Sequence, residues 1–173
     1  MGRPFGSKKS NIILSEFEDE SLLVDISSKK HPNATMLIDK VDWNGLLEMK
    51  IGRISIQAGY PYCGSGLIHR LLFPNWRYID HINRDPTDNR RSNLREVTIQ
   101  QNGMNRKIRK NKTTGFKGVW NSGYKFISQI RIDGKTKHIG TFSTAIEAAE
   151  AYDKKSIELF GEFACTNKSM GLI

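Results

Sequence analysis

The chain is poor in cysteine. It has two in 173 residues, Cys63 and Cys165, set far apart. Neither belongs to a CxxC pair, which argues against a disulfide framework and against a structural zinc site, and fits a reducing, cytoplasmic setting. Long apolar runs are also lacking. Nothing approaches the ~18 residues of a membrane-spanning helix, so no membrane partner is expected. The N-terminal MGRPFGSKKSNIIL has basic residues but no apolar stretch after them, so it does not read as a secretory signal. Met1-Gly2 looks superficially like a myristoylation start, but Gly6 stands where Ser or Thr is required. Apolar residues make up 38% of the chain. That suffices for modest cores rather than one large one, and the length points to one or two small domains.

What the chain has in excess is positive charge, a formal +9, unevenly distributed. Residues 1–60 balance at 8 basic and 8 acidic, whereas residues 61–112 hold 11 basic and 4 acidic. Residues 113–142 hold 5 basic and 1 acidic, and the remainder is slightly acidic. A basic middle is the footprint of a polyanion binder.

Residues 1–33 are polar and mixed, and read as a partly ordered arm. Residues 36–57 read as strand, short helix from Asp42 to Met49, and strand, with Asp42 as the expected N-cap. Residues 58–73 read as a hairpin in which GYPYCGSG supplies the turn and LIHRLLF the returning strand. RYIDHI (77–82) is a short strand, NRDPTDNRRSN (83–93) a loop, LREVT (94–98) a short strand, and 99–111 a helix. The basic run at 108–112 reads as a linker. Residues 113–168 differ: three strand-like runs, 116–121, 124–132 and 135–142, are joined at Ser122-Gly123 and Asp133-Gly134. Asp-Gly is a strong hairpin signal because a type I′ turn needs positive φ at both positions. Thr144 and Glu147 form a capping box. The helix after them should run to Phe160, with Ala145, Ala148, Ala149, Tyr152 and Leu159 near one face and Gly161 as its stop.

The richest chemistry lies in YIDHINRDPTDNRRSNLREVTIQQN (78–102), which combines an Asp-His pair with four asparagines. Phosphodiester hydrolysis calls for a cation at the scissile phosphate and leaving oxygen, and a base for the attacking water. Mg²⁺ takes oxygen ligands and keeps several waters, so one carboxylate and one amide oxygen can hold it. Histidine is the natural base near neutral pH. Asp80 supplies the carboxylate and His81 the base, side by side at the end of a twisted hairpin. Asn102, in the first turn of the next helix, can offer an amide oxygen. Asn93 can lock the loop by bonding to backbone groups, as can Asn89. His69 reads as a phosphate contact or, preferably, as a core residue of its hairpin.

This stretch resembles the HNH endonucleases, the ββα-metal nucleases, and in particular the homing endonucleases of mobile introns. The text IDHINRDPTDNRRSNLREVTIQQN and the upstream GYP…HRLLFPN (59–75) carry the resemblance. It implies Asp80 and Asn102 as Mg²⁺ ligands, with Mn²⁺ able to substitute, His81 as general base, and Asn93 as the residue orienting loop or base. It also implies a double-stranded DNA substrate in a bacterial or phage-infected cell. Without CxxC pairs the chain is similar to the cysteine-poor, zinc-free branch. Arg84, Arg90 and Arg91 in the loop are candidate phosphate contacts.

In the central strand of 113–168, alternation puts Lys125, Gln129 and Arg131 on one side and Phe126, Ser128, Ile130 and Ile132 on the other. A two-residue turn at Asp133-Gly134 sets Arg131 opposite Thr136 and Gln129 opposite His138. Such a basic face can lie in a major groove. GFKGVW, ISQIRI and KHIGTFSTAIEAAEAYDKKSIELFGEFACTN resemble the APETALA2-type DNA-binding domain of plant ethylene-response factors. That resemblance implies DNA contacts by Lys117, Trp120, Lys125, Gln129, Arg131 and His138. The plant domains usually carry Arg near the positions of Lys117 and Trp120, so base specificity does not transfer.

The expected fold class is therefore α+β. Residues 1–33 form an arm, 34–107 a ββα-metal nuclease domain, 108–112 a linker, and 113–168 three antiparallel strands packed on one helix. The expected function is a site-specific Mg²⁺-dependent DNA endonuclease. A DNA-binding regulator with an inactive nuclease fold is the alternative, and the intact Asp80, His81, Asn93 and Asn102 favour the nuclease. Monomer and homodimer both stay open; a monomer with one centre would cut one strand per binding event.

Overall fold

The computed structural model describes residues 11–106 and 113–173. The linker read over 108–112, the first ten residues, and the end of the helix read over 99–111 lie outside the described residues. The chain is mixed α and β, and divides into two compact units, Met1–Val97 and Thr98–Ile173.

In the first unit, β1 (Ile12–Glu16), β2 (Ser21–Asp25) and β3 (Thr35–Asp39) form an antiparallel sheet in the order β1-β2-β3. Residues 12–25, read from sequence as part of an arm, are thus built into a sheet. The reason is a period-2 pattern half-hidden by the acidic stretch before it. Leu22, Val24 and Ile26 are buried and meet Met36 and Ile38 of the neighbouring strand. α1 (Lys40–Glu48) adds Trp43 and Leu46, one helical turn apart, to the same core. Its N-cap is Asp39, with no side-chain capping bond, so Asp42 is not the cap; it lies in the first turn. Ile54, Cys63 and Ile68 complete the core, and each buried Leu or Ile side chain there stabilises the unit by about 1.5–3 kcal/mol.

A second small sheet holds β4 (Ser55–Gln57), β5 (Tyr60–Cys63) and β6 (Gly66–Leu67). LIHRLLF does not return as a strand. After two residues of β6 it turns into α2 (Ile68–Leu72), which places Ile68 and His69 inside. Strand pairing would have sent alternate members of this apolar run to solvent, whereas one helical turn lets it bury one side. β7 (Ile79–His81) pairs with β8 (Leu94–Glu96), setting Asp80 opposite Arg95 and His81 opposite Leu94.

The second unit opens with α3 (Ile99–Met104), capped reciprocally by Thr98 and Gln101. The division between units therefore falls ahead of the linker expected at 108–112. α3 is tied to the second unit by Gln100, which donates to the Asp133 carboxylate, and by Lys117, whose Nζ donates to the Met104 carbonyl. β9 (Val119–Ser122), β10 (Lys125–Ile132) and β11 (Lys135–Phe142) form an antiparallel sheet with β10 in the centre. The hairpin register is as read: Ile132 pairs with Lys135, Arg131 with Thr136, Gln129 with His138, with a bulge between Ser128 and Gln129. Asp133 and Gly134 both have positive φ, 50° and 78°, as a type I′ turn demands.

α4 (Ala145–Phe160) starts at the Thr144/Glu147 capping box and stops at Gly161. It lays Ala148 and Ala149 against Val119, with Phe116, Phe126, Phe142 and Ala145 around them. Leu159 is exposed, and the buried row continues instead through Tyr152, Asp153 and Ser156. Asp153 is buried because it is fully used. Its Oδ1 accepts from the Asn167 backbone N–H and side-chain amide, and its Oδ2 from the Lys168 N–H.

Candidate functional site

β7 ends in Asp80 and His81, both nearly fully buried at 7% and 6% exposure. Across the hairpin, Arg95 donates from Nε and Nη2 to Asp80 Oδ2, at 3.0 and 2.8 Å. A cross-strand pair of opposite charge is a favourable sheet contact, and here it fixes the direction of the carboxylate. His81 lies among rings. His69 on α2 meets it edge-on, centroids 5.3 Å apart at 90°, and Tyr60 on β5 is tilted against it at 6.1 Å. Tyr60 also meets His69 edge-on at 5.5 Å. Burial pushes the His81 imidazole below its ordinary value of 6.5, while Asn89 and the carboxylates of Asp80, Asp85 and Asp88 pull the other way without overcoming it. Burial, then the charges of His81 and Arg70, push His69 down to about 4. Both rings are therefore neutral at neutral pH, the state in which an imidazole can accept a proton.

The loop after β7 is closed by Asn93. Its Oδ1 accepts from the Asn83 N–H at 2.9 Å and its Nδ2 donates to the Asp88 carbonyl at 2.8 Å. Its backbone carbonyl accepts from the Ile82 N–H, and the Arg84 N–H donates to the His81 carbonyl. Arg84 reaches this turn with a left-handed φ of 65° and is half-buried. Asn89 is wholly buried; its amide donates to the Pro86 carbonyl and its backbone N–H to the Leu37 carbonyl on β3.

Two of the expected phosphate contacts are committed elsewhere. Arg90 donates from Nε and Nη2 to Asp88, both at 2.8 Å, and lies 3.5 Å from Asp19. Arg91 makes a two-pronged pair with Asp42 at 2.8 and 2.7 Å, and its guanidinium sits over the Phe73 ring. Asp88, although buried, is held below the ordinary carboxylate value: burial alone would raise it, and hydrogen bonds and charge from Arg90 prevail. Asn102 sits on α3, in the second unit.

Residues 74–104 match the HNH endonuclease family. The segment contains Asp80, His81, Asn93 and Asn102. The chain is also similar to an uncharacterized HNH endonuclease of Acanthamoeba polyphaga mimivirus, 34% identical over 123 residues that cover 65% of this chain and 64% of that protein. The chain thus spans under two thirds of the length of this curated relative. No solved structure matches.

Outside the HNH segment, the exposed face of the C-terminal sheet gathers Lys125, Gln129 and Arg131 of β10. Trp120, opposite Ile127, and His138, opposite Gln129, share that face. Trp120 is 49% exposed. Arg131 Nε reaches the Gly134 carbonyl. Lys117 is placed differently from the expectation. Its Nζ donates to the carbonyls of Met104, Arg106 and Cys165 at 2.9–3.0 Å. This ammonium works inside the unit, as a staple between the ends of three segments.

Sequence reading missed Tyr60 and Arg95, which stand against His81 and Asp80. Arg95 had a signal, since a hairpin closing around the 83–93 loop puts it opposite Asp80. Tyr60 had none beyond its place in GYP, because its approach to His81 depends on how β5 and α2 pack.

Proposed function

We propose that the chain is a site-specific DNA endonuclease of the homing type that hydrolyses phosphodiester bonds of double-stranded DNA with a divalent cation. The carrying observation is the Asp80–His81 pair: a carboxylate aimed by Arg95 next to a buried imidazole held neutral. His81 is the general base that takes a proton from the attacking water, and the rings of Tyr60 and His69 limit where its imidazole can go. Asn93 acts indirectly, by holding the loop that follows His81 in one conformation.

The donor chemistry fits a hard cation. The described residues contain no group of three or more His, Cys, Asp or Glu placed to hold a metal, so an ion here would rest on few protein ligands and keep waters, as Mg²⁺ does. Asp80 and Asn102 are the proposed ligands, with Mg²⁺ or Mn²⁺ as the ion. When bound, it supplies positive charge to the scissile phosphate and the leaving oxygen. Arg95 would keep Asp80 oriented for that purpose.

The C-terminal sheet is the proposed reader of the target, in the manner of an APETALA2-type domain. Arg131, Gln129 and His138 have the side chains that meet base edges in a major groove, and Trp120 and Lys125 flank them. Arg84 remains a candidate phosphate contact. Lys117, Arg90 and Arg91 are assigned structural work instead.

A supercoiled-plasmid assay with Mg²⁺, with EDTA, and with His81→Ala tests this reading. Conversion to open-circle or linear DNA by wild type, lost in both controls, is expected. Intact plasmid carrying a demonstrated bound site would replace the nuclease with a DNA-binding regulator. The ratio of open-circle to linear product separates nicking from double-strand cutting.

A further inference from the structure

His69 is an expensive residue for a packing role. It is 6% exposed, and among the described residues no hydrogen-bond partner reaches its Nδ1, which is sealed from solvent. Leaving a buried polar atom unsatisfied is destabilising, and a phenylalanine or leucine would fill the same space without that cost. The other nitrogen, Nε2, is not sealed and has no hydrogen-bond partner among the described residues. The ring stands edge-on to His81, 5.3 Å between centroids, with Tyr60 against both. The ring is thus held next to the proposed base, on the short helix α2 that the core residue Ile68 anchors.

We infer that His69 is a second active-site imidazole, which donates a hydrogen bond from Nε2–H to an oxygen of the phosphodiester undergoing attack. The inference rests on the nuclease reading of the same site and adds a substrate-contacting residue to it. The sealed Nδ1 is the site's cost for the tautomer: with no donor or acceptor reaching it among the described residues, the proton stays on Nε2. The depressed protonation of His69, to about 4, serves the same end. A cationic His69 beside His81 would oppose proton uptake by the base, whereas a neutral donor does not. Tyr60 fixes the ring plane, so the N–H direction is set before DNA arrives. Donors preorganised in this way act mainly on the transition state.

The test compares wild type, His81→Ala, His69→Phe and His69→Gln in single-turnover cleavage of plasmid, alongside DNA binding and thermal melting. His69→Phe keeps the ring and removes both nitrogens. It is expected to melt and bind DNA like wild type and to cleave about 10²-fold more slowly, the usual loss for one such donor. His69→Gln, which retains an N–H near the Nε2 position, should recover part of that rate. A His69→Phe protein that cleaves at the wild-type rate, while His81→Ala is inert, overturns the inference and leaves the nuclease reading standing. Wild type that binds DNA without cutting it overturns both. Because His69→Phe can also fail through misfolding, long-range ¹H–¹⁵N NMR of the wild-type histidines supplies a second arm. The Nε2–H tautomer at neutral pH and a shift of the His69 Nε2 resonance on adding non-cleavable phosphorothioate DNA are expected. An Nδ1–H tautomer, or a resonance unmoved by bound DNA, overturns the inference.

Discussion

Asn93→Ala isolates the closure of the loop from the chemistry next to it. The side chain makes two hydrogen bonds, from the Asn83 N–H at 2.9 Å and to the Asp88 carbonyl at 2.8 Å, and is 7% exposed. Truncation leaves one backbone donor and one backbone acceptor without their partner in a region with little water. At about 1–3 kcal/mol for each group so stranded, and with partial relaxation, the expected loss is about 2–4 kcal/mol. Urea unfolding followed by circular dichroism measures it. The midpoint should fall with the slope unchanged, since the surface exposed on unfolding is the same. Asn93→Asp sharpens the test. It keeps the oxygen that accepts from Asn83 but sets a carboxylate against the Asp88 carbonyl, so it should lose as much stability as alanine or more. Plasmid cleavage by either variant should fall more than tenfold at temperatures where it remains folded, because His81 precedes the loop directly. An alanine variant within 0.5 kcal/mol of wild type would refute the assignment of Asn93 as the closure of this loop.

Arg90→Ala strands the buried Asp88 carboxylate and should destabilise the chain by about 3 kcal/mol, the low end for a broken buried pair because the guanidinium is 29% exposed; urea unfolding measures it. Asp88 sits below its ordinary 3.8 in the folded chain, so its contribution is present above that pH and is lost as the pH falls through the lower folded value. Asp88→Asn should therefore show a shallower loss of stability below pH 3.8 than wild type in an acid titration. Gly118→Ala would put a Cβ 1.8 Å from the Tyr152 ring at φ +76°, and should lose at least about 3 kcal/mol. Gly123→Ala, at φ +69° with nothing within 4 Å, should lose only about 1 kcal/mol in the same thermal-melting series. Arg131→Ala or Gln129→Ala should lower discrimination between target and competitor DNA by about tenfold, and Lys125→Ala should weaken all DNA alike with a smaller salt dependence; competition binding at several salt concentrations separates the two behaviours.

The parts of the fold legible in the sequence were those set by short-range chemistry. Asp133-Gly134 demanded positive φ and so fixed the β10–β11 register, and Thr144 with Glu147 marked the start of α4. The spacing of Asp80, His81 and Asn93 was readable because a strand and a closed loop place residues by count. What was illegible depended on tertiary choice. LIHRLLF satisfies a strand pattern as well as a helical one, and only the core around Ile68 decides between them. Asp42 has the chemistry of a cap, but Arg91, 49 residues away, claims it. The buried side of α4 runs through Asp153 and Ser156 and leaves Leu159 exposed; the C-terminal segment folds back there, and Asn167 and Lys168 supply the partners of Asp153. Lys117 looked like a DNA contact because charge alone does not reveal that three carbonyls converge on it.

β3 is hydrogen-bonded along both its edges. One edge pairs with β2, and on the other the Leu37 N–H donates to the Thr87 carbonyl while the Leu37 carbonyl accepts from the Asn89 N–H. The segment between His81 and Asn93 is therefore stitched, as a short parallel bridge at Leu37 and Asp88, to the sheet that begins near residue 12. Removing the N-terminal sheet would take the backbone partners of Thr87 and Asn89 with it, so the sheet is part of what holds the loop. A limited proteolysis cut near residues 30–34 should leave two fragments that stay together, because β2 and β3 pair across the cut, and the Asn89 amide should stay protected from exchange through its bond to the Leu37 carbonyl.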